Sequence, residues 1–200
     1  MRGASRVVVL VTVLAASLAS GCASTATTPD APPPAATASP TGVRRAWPLP
    51  ADPPAAAANA GLPMLGEEML EVHYHAHVDV IVRGVAITVP ASIGIDSDRH
   101  LISALHTHDT TGIVHIESGE DIPFTLGQLF TEWGQPLTSN QVGPVAAGHG
   151  EQVRVYRNGT AITGDPAALK FAAHDQLVVW LGPASGQPQV RSVYAFPSGL

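Results

Sequence analysis

Seven of the chain's nine histidines lie between His73 and His115, and their spacing is where chemistry is most legible. In Val72-His-Tyr-His-Ala-His-Val-Asp-Val-Ile-Val82 apolar and polar residues alternate. Side chains on a strand point to opposite faces in turn, so Val72, Tyr74, Ala76, Val78, Val80 and Val82 share one face and His73, His75, His77 and Asp79 the other. Two histidines at i and i+2 stand roughly 7 Å apart at Cα, a span that two imidazoles close onto one ion. Three in a row reach too far for one small ion, so two of them are expected to ligate, or the third to orient a neighbour.

A second cluster is Leu105-His-Thr-His-Asp-Thr-Thr-Gly-Ile-Val-His-Ile-Glu117. With Asp109-Thr-Thr-Gly112 as a hairpin turn, His108 faces Ile113 and His106 faces His115, which gathers His106, His108, His115 and Glu117 on one face. A shift of one residue on one arm would separate them. Solvated strand faces favour Thr, Lys, Glu and Arg, whereas two separate polar faces here are mostly imidazole, the commonest metal ligand. The expected metal ligands are therefore His73, His75, His77, His106, His108, His115 and Glu117. His100, His149 and His174 sit in Gly- or Asp-rich contexts and read as turn or surface residues.

Imidazole with one carboxylate and no thiolate suits Cu or Zn. Three functions follow from such a cluster. A binding protein for sequestration or delivery would fill the coordination sphere with protein ligands. A metal-dependent hydrolase or oxygenase would leave a position open, with Asp79, Asp109 or Glu117 as candidate base. A module without metal would respond to pH through the same histidines. Cupin-type oxygenases also carry His-x-His on a strand, but their Glu a few residues later is missing here. The chain has no Gly-x-Ser-x-Gly elbow and no phosphate-binding loop ending in Lys.

The elements that must position these residues come from a strand-rich domain, residues 63–200. Short Val- and Ile-rich runs broken by Gly, Pro and Asp predict a mainly β fold, a sandwich or small barrel built from hairpins. One helix is expected at Thr125-Leu-Gly-Gln-Leu-Phe-Thr-Glu-Trp133, with capping-box spacing of Thr125 and Gln128 and an apolar face of Leu126, Leu129, Phe130 and Trp133. Asp79–Thr88 aligns without a gap on Arg154–Thr163, each a strand, a Gly-containing turn and a return strand. Such an echo raises the idea of two related halves, against chance likeness between hairpins. The turn also accounts for the glycosylation-like Asn158-Gly-Thr160.

Ahead of the domain, Arg2 and Arg6, the apolar run Val7 to Leu18 and Ala19-Ser-Gly-Cys22 have the layout of a lipoprotein signal peptide, residues 1–21, cut before Cys22. Ala19 stands where Leu is commoner in that motif. The apolar run is shorter than the roughly 20 residues of a membrane span. Lipid on Cys22 would anchor the chain to the extracytoplasmic face of the cell membrane. Cys22 is the only cysteine, which excludes an internal disulfide. Residues 22–62 read as a disordered tether of Ala, Pro and Thr, and ten of the eighteen prolines lie between residues 23 and 63. Loss of Arg2 and Arg6 moves the net charge from -6 to -8. An acidic chain whose sole lysine is Lys170 argues against nucleic acid as a partner and leaves the lipid to do the tethering.

The segments His73-Tyr-His-Ala-His77, Val80–Pro90, Leu105–Glu117 and Phe124–Gly134 resemble those of an uncharacterised group of exported bacterial proteins and lipoproteins. The likeness covers roughly residues 70 to 183, with Leu105-His-Thr-His-Asp109 its most specific part. It implies one exported domain type and implies no reaction.

Overall fold

The structure, a computed structural model, describes residues 45–68 and 71–200. The expected signal peptide of residues 1–21, Cys22 and the part of the expected tether up to residue 44 lie outside the described residues. The chain is mainly β, as its patterning predicts. Eight strands make the principal sheet: β1 Arg45–Ala46, β2 Val72–Val82, β3 Val85–Thr88, β4 Leu105–His106, β5 Ile113–Ser118, β6 Glu151–Arg157, β7 Thr160–Ile162 and β8 Gln176–Pro183. Along the sheet the order is β1, β3, β2, β8, β6, β7, with β5 also on β2 and β4 on β5. Among the described residues the end strands β1 and β7 do not pair with each other, so the described sheet is open. No described helix is long and apolar enough to cross a membrane.

The strand β2 organises the rest because its eleven residues serve three partners. Its first half pairs antiparallel with β5, from Val72↔Ser118 to His77↔Ile113. Its second half pairs antiparallel with β3 and parallel with β8. The alternation sorts its faces as expected. Ala76, Val78, Val80 and Val82 enter the main core with Leu105, Val114, Ile116, Val155, Leu177, Val179 and Leu181 from the neighbouring strands. On the other face Ile81 meets Tyr156, Val178 and Trp180 in a small second cluster.

The helix α2, Leu126–Glu132, closes the main core. Its capping box forms as the spacing predicts: Gln128 N–H donates to the Thr125 hydroxyl at 3.3 Å and Thr125 N–H to Gln128 Oε1 at 2.9 Å. Leu126, Leu129, Phe130 and Trp133 are all buried in the core, so the helix is a structural lid.

Two expectations change. The tether expected to run to residue 62 gives way earlier, because Arg45–Ala46 pairs with β3 and Trp47 and Leu62 are buried in the main core. Between them lies a second helix, α1, Pro53–Asn59, where one helix was expected. Asp52 caps it by accepting from Ala55 N–H at 3.4 Å, Pro stands in the first turn, and alanines propagate it. The echoed hairpins are real in register, with Val80↔Ile87 matching Val155↔Ile162 and both turns at positive φ, Arg83-Gly84 and Asn158-Gly159. They do not head two related halves. They flank the shared strand β8, β2 parallel to it and β6 antiparallel.

Candidate metal centre

The two histidine clusters meet. Antiparallel pairing sets His73 opposite Glu117 and His75 opposite His115. The next pair sets His115 opposite His106, the register expected from the Asp109–Gly112 turn. Three adjacent strands, β2, β5 and β4, thus present imidazoles side by side on the face away from the main core. Gly112 permits this close approach, since at φ +92 it brings its backbone so near β2 that an added Cβ would stand 2.6 Å from the Val78 carbonyl.

The separations match a small cation. His73 Nε2 lies 3.2 Å from His75 Nε2, which lies 3.1 Å from His115 Nδ1. Glu117 Oε1 closes the ring, 3.2 Å from His73 and 3.6 Å from His115. For bonds of about 2.0 to 2.1 Å, donors around a tetrahedral zinc sit roughly 3.3 Å apart. All four donor atoms are within 4.8 Å of one another. His75 and Glu117 are only 4% exposed, whereas the His73 side chain, at 40%, forms the rim.

Two further sets overlap this one: His106, His108 and His115, and Glu68, His106 and Glu117. His106 is wholly buried and its Nδ1–H donates to the Ser103 carbonyl at 2.9 Å. That bond leaves Nε2 as the lone-pair nitrogen, the tautomer a metal ligand needs. Among the described residues Nε2 has no hydrogen-bond partner, and neither has Glu117 Oε2.

Burial, reinforced by neighbouring imidazoles, holds His75, His106 and His115 neutral. Desolvation lowers the His75 pKa, with His73 adding to it. The same cause brings His106 down to about 4 and His115 to about 3, where His106 is the next contributor. Desolvation raises Glu117, and Glu68 pushes the same way. At neutral pH the imidazole lone pairs at His75, His106 and His115 are available without proton release.

Of the seven expected ligands, His73, His75, His106, His108, His115 and Glu117 come together. His77 does not. Its Nε2–H donates to the Thr111 carbonyl at 2.9 Å and its ring stacks on Tyr194 at 3.7 Å. Asp79 accompanies it, 4.0 Å from His77 Nδ1, and accepts from Gln176 Nε2 at 3.1 Å, so this candidate base stands apart from the cluster. Asp109 builds the hairpin turn by accepting from Thr111 N–H at 2.8 Å, and the Thr111 hydroxyl holds its carboxyl below the usual range. His100, His149 and His174 are exposed and outside the strands, as expected.

Glu68 is the ligand-type residue that the spacing did not reveal. It precedes β2 in an irregular segment, and only the fold brings it 4.0 Å from His108 Nε2. The crevice beside His106 and Glu117 is also lined by Leu65, Glu67 and Ile102 and is narrow. Organic ligands occupy pockets of roughly 300 to 1,000 Å³, and this crevice is far too small for one.

The fold and site define a mainly β protein whose clustered His and Glu residues could hold a metal ion. Comparisons with family models, curated proteins and solved structures find no match.

Proposed function

We propose that this chain is an exported, lipid-anchored protein of the cell envelope that binds copper or zinc for sequestration or delivery. The observation that carries the reading is the closure of His73, His75, His115 and Glu117 around one point, with consecutive donor separations of 3.1 to 3.6 Å. Four protein donors complete a four-coordinate sphere, which favours holding an ion over activating a water at an open position. The small crevice argues the same way. A rim ligand at His73 gives the ion a route in and out. Imidazole and carboxylate without thiolate select Cu(II) or Zn(II) in an oxidising compartment. Tethering rests on Cys22 and the small residues before it.

Metal content of the purified full chain tests the binding. About one equivalent of copper or zinc or more is expected after reconstitution, lost in His75→Ala and His115→Ala. No retained metal after exposure to both Cu(II) and Zn(II) would overturn the reading. The anchor has its own test: Cys22→Ala should move the protein from the membrane to the soluble fraction.

A further inference from the structure

We infer that the cluster holds a second cation beside the first, on Glu68, His106 and His108, with Glu117 bridging the two. This rests on the reading of the first site given above. One four-coordinate ion on His73, His75, His115 and Glu117 leaves three donors of the cluster unused. Among them His106 Nε2 is buried and has no hydrogen-bond partner among the described residues. Leaving such an atom unpaired is costly, and its tautomer is already set for a cation by the Ser103 carbonyl.

The surrounding donors converge on the same place. Glu117 Oε1 is 4.0 Å from His106 Nε2, and Glu68 Oε1 is 4.0 Å from His108 Nε2. Donor atoms of Glu68, His106 and Glu117 all lie within 4.8 Å of one another, as do those of His106, His108 and His115. Glu117 lies between the two sets, its Oε1 3.2 Å from His73 Nε2 on one side and 4.0 Å from His106 Nε2 on the other. A carboxylate shared between the two ions also places negative charge between cations that would otherwise repel each other.

The second site differs in kind from the first. Its 4.0 Å separations exceed the roughly 3.3 Å edge of a compact tetrahedral site, so the ion is held less tightly. The side chains of Glu68 and His108 are each 47% exposed, which puts this ion at the mouth of the cluster. The outer cation is therefore the one that exchanges.

Zinc titration of the chelator-stripped full chain, read by native mass spectrometry, tests the inference. Two zinc ions per chain are expected, the second leaving first as a competing chelator is raised. Glu68→Gln and His108→Ala should each reduce the count to one, and both lie at the surface, where thermal melts of the stripped variants can verify folding. Loading with Cu(II) supplies a second readout, because the isolated-ion resonance at one equivalent should diminish at two. Saturation at one zinc would overturn the second site and leave the first standing. A count of two that survives both substitutions would also overturn it. No bound zinc at all would remove both readings together.

Discussion

His75 and His115 stand directly opposite each other on antiparallel strands, forty residues apart, with Nε2 of one 3.1 Å from Nδ1 of the other. Backbone register alone produces this meeting. It turns two separate sequence clusters into one group of ligands.

The cost of burying neutral imidazoles appears as a pH dependence. His106 folds with its pKa lowered to about 4, whereas the unfolded chain has the ordinary value near 6.5. Between those values the unfolded state binds more protons, so stability is fully present above pH 6.5 and falls as pH drops toward 4. His106 alone contributes on the order of 3 kcal/mol to that loss, and His115 shifts in the same direction. Urea midpoints of the metal-free chain measured from pH 7.5 to 4 should fall steadily. A flat profile would mean the rings are solvated.

Glu132 acts at the opposite end of the pH range. Burial raises its carboxyl to about 8, with the Ser103 hydroxyl pulling the other way. A raised value in the folded state gives stability that is complete below the unfolded value near 4.5 and is lost as pH rises through 8. Glu132→Gln removes that ionisation and should raise stability at pH 9 by on the order of 4 to 5 kcal/mol, with little change at pH 4. Denaturant melts at the two pH values separate the outcomes.

Trp47 measures how far the folded unit extends toward the N-terminus. It is 8% exposed and its ring lies 5.5 Å from that of Trp133. Truncating a buried Trp costs about 3 to 5 kcal/mol, so Trp47→Ala should lower the melting temperature substantially. A chain starting at residue 63 should be destabilised as well. Unchanged melts would mean that residues 45–62 add nothing to the stability of the fold.

His77 separates histidine content from histidine position. His77→Ala should leave metal stoichiometry unchanged, because its ring belongs to Tyr194 and the Thr111 carbonyl. Loss of that stack should expose the segment after Pro183 to protease, read by the rate of C-terminal clipping.

Strand pairing explains which parts of the site were legible beforehand. The period of two in Val72–Val82 and the turn residues Asp109–Gly112 determine both faces and the His106–His115 register, since local geometry decides them. The exclusion of His77 was not readable, because the ring that covers it comes from Tyr194, far along the chain. Glu68 was hidden for the same reason. Helix α1 was legible in principle: Asp52 before two prolines and an alanine run is a helix start, but its Ala- and Pro-rich composition resembles a tether. What decides the matter is Trp47 and Leu62, whose burial depends on partners elsewhere.

X-ray absorption at the metal edge, on the full chain loaded with one equivalent of Zn(II), examines the centre most directly. The predicted shell is three imidazole nitrogens and one carboxylate oxygen at about 2.0 to 2.1 Å, with the imidazole signal reduced in His75→Ala. A shell of oxygen donors alone, or an imidazole count indifferent to that substitution, would contradict it.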